Sequence, residues 1–277
     1  MSLPAPDPLC TVLITGASSG IGEQLARQLA AAGHGLTLVA RRQERLERLA
    51  AELRTQHDVE VAVHAADLGD AAARAKLVAT LDASGRFVAG VCNNAGFGSF
   101  GDFAELPLER ETEMVRVNVL AVHELTGAFL RPMIERGEGA ILNVASTAAF
   151  QPLPTAATYA ATKAFVLAFS EALHAELAGT GVSCTALCPG PVPTEFGENA
   201  GATRREAQLP DLFFTKPEQV AREAIAGMRK GKRSVIPGLG NRGSAFGGRY
   251  VPRTLLLPIA RRLGGRAFGP GPGEPGS

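Results

Sequence analysis

Near its N-terminus the chain reads Thr11-Val-Leu-Ile-Thr15 and runs directly into Gly16-Ala-Ser-Ser-Gly20-Ile-Gly22. The β-branched residues of the first segment predict a short buried strand, and the pattern of residues 23–32 predicts a helix. Glycines between a strand and a helix permit a tight turn, so that backbone amides and the helix dipole can hold a phosphate. Gly33 ends the helix, and residues 36–39 form the next apolar segment. This βαβ opening is the context that a dinucleotide-binding site requires.

Downstream of this opening, strand and helix patterns alternate along the chain. Predicted strands cover residues 11–15, 36–40, 60–65, 87–92, 140–145, 182–188 and 234–236, and predicted helices cover 21–32, 43–55, 70–81, 107–136, 156–179 and 217–229. This order predicts a single α/β domain, a three-layer, doubly wound parallel sheet of about seven strands, Rossmann-like, with helices on both faces. Ligands bind such a sheet at the carboxyl ends of its strands. Gly16, Asn93, Ser146 and Pro189 each follow a predicted strand, so we expect them to meet at one edge.

Three polar side chains in the second half of the chain could handle a proton. Tyr159 and Lys163 stand four residues apart in a predicted helix and share one of its faces, and Ser146 precedes the tyrosine by thirteen residues. A free phenol keeps its proton up to a pH of about 10, and a fixed ammonium beside it favours the phenolate. A serine hydroxyl beside the pair could hold a substrate oxygen. The pattern indicates proton transfer to or from a carbonyl or alcohol oxygen.

With these residues in view, the chain resembles the short-chain dehydrogenase/reductase family over about residues 9–237. Its glycine segment matches the family pattern Thr-Gly-x-x-x-Gly-x-Gly rather than the generic Gly-x-Gly-x-x-Gly. The other matching positions are Asn93-Asn-Ala-Gly96 at the second motif, Asn118 at the helical asparagine, Ser146, Tyr159 and Lys163 at the catalytic trio, and Pro189-Gly190 with Thr194 after the sixth strand. The resemblance implies a nicotinamide-dependent oxidoreductase.

The resemblance also implies a role for each matching position. Tyr159 would donate the proton during reduction, and Ser146 would orient the substrate carbonyl. Lys163 would hydrogen-bond the nicotinamide ribose and lower the tyrosine pKa, Asn118 would hold a water that links the lysine to solvent, and Asn93 would line the ribose. The implied cofactor-binding set is Gly16, Ser18, Ser19, Gly20, Ile21, Gly22, Arg41, Arg42, Asp67, Leu68, Asn94, Ala95, Gly96, Tyr159, Lys163, Pro189, Gly190, Val192 and Thr194. The last two of these would contact the carboxamide.

The end of the second strand bears on the choice of cofactor. An NAD enzyme usually places an acid there, about 20 residues after the glycines, whereas this chain has Ala40-Arg41-Arg42 and its first acid is Glu44 in the next helix. A guanidinium can hold a 2′-phosphate through paired hydrogen bonds, and a carboxylate would repel it. NADP(H) is therefore predicted over NAD(H), with Arg41 on the phosphate and Arg42 either on the phosphate or stacked on adenine. In the alternative, both arginines are solvated and Asp67-Leu68 is a helix cap rather than an adenine contact.

Substrate choice depends on the segment of about residues 191–215, which is predicted to close over the pocket as a lid. Phe196, Leu212 and Phe213 in this segment indicate an apolar or acyl-like substrate, and equally they could pack against the core. Closure would exclude water from the hydride step.

Charge is unevenly distributed over the 277 residues. The 28 basic and 27 acidic residues leave a net charge of +1, which argues against a nucleic-acid partner. Residues 229–277 hold ten basic residues and one acid, about +9, which leaves about −8 for the rest. The composition predicts a catalytic domain over 1–248 and a basic, Gly/Pro-rich segment over 249–277 with a disordered end. This segment could meet anionic lipid, recognise an acidic carrier thioester, or form a solvated or partner-packing tail.

Other features predict an enzyme of the cytoplasm. The N-terminal residues lack the apolar core of a leader, and the four cysteines fall mostly in predicted strands, where small buried hydrophobes are expected rather than a metal site. The family resemblance implies a homodimer or homotetramer built on the two long helices. The predicted function is interconversion of a ketone or aldehyde and an alcohol, with Tyr159 as acid and base. The alternative from another class is a catalytically silent dinucleotide-binding sensor or scaffold, which would not need all four catalytic positions.

Overall fold

Seven parallel strands form one sheet in the part of the chain that the computed structural model describes, residues 3–200, 210–258 and 260. The strands are β1 (Cys10–Thr15), β2 (Leu36–Ala40), β3 (Val61–Ala65), β4 (Phe87–Asn93), β5 (Gly139–Val144), β6 (Val182–Leu187) and β7 (Ser234–Val235). Their order is β3-β2-β1-β4-β5-β6-β7, and all neighbouring pairs are parallel. The predicted Rossmann-like sheet is confirmed.

The winding of the sheet reverses between β1 and β4. The chain places β2 and β3 on one side of β1, and then returns to place β4 on its other side. A crevice opens at the carboxyl ends of the strands at such a reversal. Ile14 pairs with Cys92 near the ends of the two strands. The turns that follow β1 and β4 therefore leave the sheet side by side.

Helices cover both faces of the sheet. They are α1 (Gly20–Ala31), α2 (Gln43–His57), α3 (Ala71–Ala83), α4 (Leu108–Val115), α5 (Val122–Arg136), α6 (Ala157–Glu176), α7 (Glu195–Ala200), α8 (Pro217–Arg229) and α9 (Leu239–Tyr250). One core packs α1, α2 and α8 against the sheet, and a second packs α3, α5 and α6 against the opposite face. Along β1, Val12 and Ile14 belong to the first core and Leu13 to the second, as the alternation of a strand requires.

The long helix predicted for residues 107–136 is interrupted in its middle. Arg116–Ala121 forms a π-helical turn between α4 and α5, and Asn118 is fully buried within it. Single π-helical turns are frequent at functional sites. Gly137 ends α5 in the left-handed conformation, with φ of 75°, which glycine adopts without a steric penalty.

Helix α9 was not predicted from the sequence. Four of its twelve residues are glycines, and glycine lowers helix propensity, so the local pattern does not favour a helix. Tertiary packing holds it, since Asn241, Ala245 and Gly248 are buried. The compositional boundary at residue 248 falls inside this helix. The end predicted to be disordered, within residues 261–277, lies outside the described residues.

Two findings concern membranes and metals. None of the described helices is both long and apolar enough to cross a membrane. The four cysteines are buried thiols, and the described residues contain no cluster of acids, cysteines and histidines that could hold a metal ion.

Candidate active site

The turn between β1 and α1 forms one end of a cleft of about 820 Å³ at the carboxyl edge of the sheet. Gly16 and Gly20 have φ of 66° and 58°, in the left-handed region that glycine favours. Gly22 is required for a different reason, because a Cβ there would collide with the carbonyl oxygen of Gly16. The absence of a Cβ at these positions thus lets the backbone of the turn pack closely, as binding of a phosphate by backbone amides requires.

Most predicted cofactor positions meet in this cleft. Its lining includes Gly16, Ser18, Ser19, Gly20, Ile21, Arg41, Arg42, Asp67, Leu68, Asn94, Ala95, Gly96, Tyr159, Lys163, Pro189, Gly190, Val192 and Thr194. Gly22 stands behind the turn rather than on the cleft wall.

The end of β4 is tied to the glycine turn by three hydrogen bonds. The hydroxyl of Thr15 accepts from the backbone amides of Asn94 and Ala95, each at 2.9 Å. The side-chain amide of Asn94 donates to the carbonyl oxygen of Thr15 at 2.9 Å. Thr15, the threonine of the family pattern, is thus a supporting residue rather than a residue of the cleft wall.

The expectation that Asn93 lines the ribose is wrong. Its side chain is buried in the core, where the amide donates to Thr126 Oγ1 at 3.0 Å and to Asn143 Oδ1 at 2.9 Å. Successive side chains of a strand point to opposite faces. Asn94 therefore reaches the cleft and Asn93 does not.

Tyr159, Lys163 and Ser146 all line the cleft. The ammonium Nζ of Lys163 is 5.8 Å from the centroid of the Tyr159 ring and donates to the carbonyl oxygen of Val144 at 2.9 Å. The Oγ of Ser146 accepts from the amide of Ala148 at 3.1 Å. Burial lowers the pKa of Lys163 to about 8, so the side chain is mainly an ammonium at neutral pH.

Asn118 lies behind the cleft wall rather than on it. Its side-chain amide donates to the carbonyl oxygen of Phe97 at 2.9 Å and to Thr162 Oγ1 at 3.1 Å, and its Oδ1 accepts from the amide of Phe97 at 3.1 Å. The hydroxyl of Thr162 donates in turn to the carbonyl oxygen of Tyr159 at 2.8 Å. Asn118 thus joins the segment after β4 to the helix that carries the tyrosine.

Arg42 contacts the glycine turn directly. Its guanidinium donates to Ser18 Oγ at 2.9 Å, to Ser19 Oγ at 2.8 Å and to the carboxylate of Glu195 at 2.6 Å. Arg45 donates to the other oxygen of Glu195 at 2.6 Å. Hydrogen bonds from Arg45 and Arg42 lower the pKa of Glu195 to about 2. Glu195, which the sequence did not single out, is therefore ionised at neutral pH and forms an ion pair with Arg42.

Arg41 and Asp67 lie farther along the same wall. The Arg41 side chain is 67% exposed and forms an ion pair with Glu113 at 3.6 Å. Asp67 accepts from the amide of Gly69 at 2.9 Å. Asp70, not Asp67, caps α3 by accepting from a backbone amide, so the helix-cap alternative for Asp67 is wrong.

The other end of the cleft is rich in aromatic side chains. Phe100 and Phe196 flank the Tyr159 ring, with ring centroids at 6.1 and 5.7 Å. Further lining residues at this end are Phe97, Arg110, Ala148, Gln151, Leu153, Phe213, Asn241 and Ser244. Of the three predicted lid residues, Phe196 and Phe213 line the cleft, whereas Leu212 is 66% exposed and does not. Residues 201–209 of the predicted lid lie outside the described residues.

Asn241 in α9 holds the end of the lid segment. Its side-chain amide donates to the carbonyl oxygens of Phe213 at 3.1 Å and Pro237 at 2.9 Å, and lies 3.4 Å from Thr215 Oγ1. The residue is 1% exposed. A lone asparagine among glycines carries no sequence signal, and only the fold shows its contacts.

Comparison with known proteins identifies the family. The model of the short chain dehydrogenases matches residues 10–205. This chain belongs to the short-chain dehydrogenase/reductase family. A family member from Sphingobium yanoikuyae, solved in complex with NADPH, superposes with a TM-score of 0.77 at 32% identity and covers 97% of this chain and 99% of that one.

Two curated family members show the range of related activities. Sulfoacetaldehyde reductase of Chromohalobacter salexigens is 42% identical over 187 residues, 67% of this chain and 73% of the relative. The very-long-chain 3-oxoacyl-CoA reductase of Anas platyrhynchos is 34% identical over 219 residues, 77% of this chain and 67% of the relative. The protein is thus an oxidoreductase that acts on the carbonyl/alcohol pair of small molecules with a nicotinamide dinucleotide.

Proposed function

We propose that this short-chain dehydrogenase/reductase interconverts a ketone or aldehyde and an alcohol with NADP(H), and that Tyr159 is its acid and base. The observation that carries the proposal is that Tyr159 and Ser146 line one cleft together with the buried Lys163, whose ammonium lies 5.8 Å from the centroid of the Tyr159 ring. A nicotinamide bound in the cleft supplies or accepts the hydride.

The chain's own residues manage the proton. The Ser146 hydroxyl holds the carbonyl oxygen while the Tyr159 phenol donates its proton to that oxygen. The Lys163 ammonium stabilises the phenolate that remains, because an opposite charge nearby favours the ionised form. Asn118 keeps the two sides of the site together and holds the water through which the proton is replaced. In oxidation the same residues act in reverse.

The preference for NADP(H) is supported by charge at the end of β2. Arg41 and Arg42 stand where an NAD enzyme usually has an acid, and Ser18 and Ser19 add hydroxyl donors beside Arg42. The glycine turn fits a phosphate because Gly16, Gly20 and Gly22 let its backbone pack closely, with no Cβ at those three positions. A 2′-phosphate would compete with Glu195 for Arg42. The related S. yanoikuyae enzyme is described with NADPH.

The substrate end favours an apolar or acyl-like carbonyl compound. Five aromatic rings line this end, and Arg110 lies 5.3 Å from the centroid of the ring of Phe97. Arginine stacked on a ring can still hold an acidic group of a substrate. The two relatives differ widely in substrate, since one is a reductase of a small sulfonated aldehyde and the other of a very long acyl-CoA. The proposed substrate class therefore rests on the residues that line this cleft.

We also propose a homodimer or homotetramer in the cytoplasm. Leu120 and Phe165 are 42% and 40% exposed, and Phe165 stacks on Phe169 with ring centroids at 5.7 Å. Leu120 lies in the π-helical turn directly before α5 and Phe165 lies in α6, and exposed apolar side chains at these two long helices favour association.

A spectrophotometric assay tests the function. Oxidation of NADPH is followed with ketones of graded chain length, steroids and acyl thioesters. We expect turnover with at least one class, and Tyr159→Phe should lose it by about 10²–10⁴-fold while its NADPH affinity, measured by fluorescence titration, stays within error of wild type. If wild type binds NADPH but turns over none of the substrates, the sensor or scaffold alternative gains support.

A further inference from the structure

The outward face of α9 is an exposed apolar stripe. Leu239, Phe246 and Tyr250 are 79%, 68% and 65% exposed, and the last two rings contact each other with centroids 4.7 Å apart. At about 100° of rotation per residue, the three side chains project within about 40° of one another. Asn241 and Ala245 point the opposite way and are buried. We call these three exposed side chains the α9 stripe.

The α9 stripe is part of a larger apolar surface. Leu212 packs over Gly240, with its Cγ 2.8 Å from where a Cβ of that glycine would lie. Residues 253–258, which follow α9 along the chain, are helical and carry Leu255 and Leu257, which are 60% and 41% exposed. Of the fourteen exposed large hydrophobic residues in the described chain, seven are Leu212 or lie within 239–257. Such clustering indicates an interaction site, whereas single exposed hydrophobic side chains do not.

Arginines border the α9 stripe on one side. Arg242 and Arg249 project about 60–80° from its centre, and their side chains are 59% and 44% exposed. Each has one acidic neighbour at the edge of the ion-pair range, at 3.8 and 3.7 Å. Between Glu223 and Glu274 the sequence contains no acid. The border of the stripe is therefore mainly basic, with Glu223 and Glu171 as the acidic neighbours of its two arginines.

We propose that the α9 stripe and its flanking arginines dock this protein on an anionic lipid membrane, with α9 lying in the plane of the interface. An amphipathic helix binds such a surface by burying its apolar side chains among the lipid chains while its basic residues contact the headgroups. A second copy of the chain fits less well, because an antiparallel two-fold contact through this face would set arginines against arginines.

Docking would bring lipid to the substrate end of the cleft. Asn241 and Ser244 on the inner face of α9 line the cleft, and Asn241 also holds Phe213 next to the exposed Leu212. Helix α9 thus carries the α9 stripe on its exposed face and contributes to the cleft wall on its opposite face. An apolar carbonyl compound dissolved in the membrane would reach the cleft beside α9. This consequence rests on the proposed function, whereas the docking itself does not.

Vesicle sedimentation of the full-length protein tests the docking. Vesicles of phosphatidylcholine alone are compared with vesicles that also contain phosphatidylserine. We expect binding to the second kind only, and weaker binding at high salt, since salt screens the attraction. Phe246→Ser/Tyr250→Ser should lower the partition coefficient about tenfold or more, and Arg242→Gln/Arg249→Gln should lower it by about tenfold or more as well.

Matched variants elsewhere on the surface serve as controls. Leu9 is 69% exposed and lies outside the apolar surface, and Arg131 is 87% exposed in α5; Leu9→Ser and Arg131→Gln should bind vesicles as wild type does. Thermal melts check that every variant folds. Sedimentation measures binding directly, so the result does not depend on reductase activity. The proposal is overturned if wild type sediments with neither kind of vesicle, or if the stripe variants bind as well as wild type. It is also overturned if those variants instead shift the elution volume in size-exclusion chromatography, which would make the stripe a contact between copies.

Discussion

The two ends of the cleft are built in different ways. The cofactor end consists of consecutive residues at the ends of adjacent strands, where the Thr15 hydroxyl accepts from the backbone amide of Asn94 and the Asn94 side chain donates to the Thr15 carbonyl oxygen. The substrate end consists of single side chains from separate elements, such as Phe100 in a loop, Phe196 in α7 and Asn241 in α9. A short motif can therefore specify the first end, whereas only the assembled fold specifies the second. Four variants test this contrast.

The largest effect is expected at Lys163, where the two ends meet. Lys163→Met should lower kcat by about 10²–10⁴-fold, because the phenolate of Tyr159 loses its charged partner. The same variant should be more stable than wild type at pH 7, by about 1–2 kcal/mol after the loss of the hydrogen bond to Val144. Burial of the ammonium destabilises the wild-type fold, as its lowered pKa of about 8 indicates. Steady-state kinetics and denaturant unfolding measure both quantities.

The sign of the pH dependence follows from that pKa. Below about 8, Lys163 is charged in both the folded and the unfolded chain, so the folded state carries the full penalty for burying the charge. Between about 8 and 10.5 the folded protein loses this proton first, so wild-type stability rises relative to the variant. The excess stability of Lys163→Met over wild type should therefore decrease over that range. Wild-type kcat/KM should fall as pH rises through about 8, because Lys163 loses its charge. A stability difference between Lys163→Met and wild type that stays constant up to pH 10 would contradict a lowered pKa for Lys163.

Gly22→Ala tests the backbone nature of the cofactor end. The new methyl group would collide with the Gly16 carbonyl and approach the Asn94 amide to 2.5 Å. Overpacking of this kind costs about 1–3 kcal/mol and should weaken NADPH binding about tenfold to a hundredfold by displacing the turn. Gly127→Ala is the control, because a Cβ in that part of α5 meets no atom within 4 Å; it should leave binding unchanged and stabilise the helix slightly. Equal effects of both variants on NADPH affinity would refute the role of the turn.

Arg42→Ala tests cofactor preference. Loss of charge-assisted hydrogen bonds to a 2′-phosphate should weaken NADPH binding about tenfold to a hundredfold and leave NADH binding nearly unchanged. Arg45→Ala is the matched control, because Arg45 contacts the same Glu195 at the same 2.6 Å distance but does not line the cleft. Arg41→Ala should have a smaller effect than Arg42→Ala, because the Arg41 side chain is turned toward Glu113. Fluorescence titrations with both cofactors measure the ratio, and a parallel loss for NADPH and NADH would count against the phosphate role.

Asn241→Ala should have the smallest effect and act on the substrate end alone. It removes the hydrogen bonds that hold Phe213 and Pro237, so the lid segment should be less well positioned. We expect KM for the carbonyl substrate to rise by about threefold to tenfold, with little change in kcat and none in NADPH affinity. A purely structural defect would instead lower NADPH affinity and the melting temperature together.

The sequence predicted much of the fold because its signals are local. The strand-turn-helix pattern of residues 11–32 and the alternation downstream placed all seven observed strands to within one or two residues. The i, i+4 spacing placed Tyr159 and Lys163 on one helix face. By contrast, α9 was missed because its four glycines give it a low helix propensity, and tertiary packing stabilises the helix instead. Leu212 was expected in the lid and is exposed, since its neighbours along the chain do not show which way the segment turns.

The sequence by itself determined the family, the reaction class and the residues that follow each strand, because these depend on short motifs and on backbone preferences. The tertiary structure alone decided that Arg42 rather than Arg41 contacts the turn, that Glu195 holds that arginine, and that Asn241 joins α9 to the lid segment. These contacts link residues between 23 and 153 positions apart. No local pattern encodes such pairs, since their meeting depends on how the helices and loops pack around the sheet.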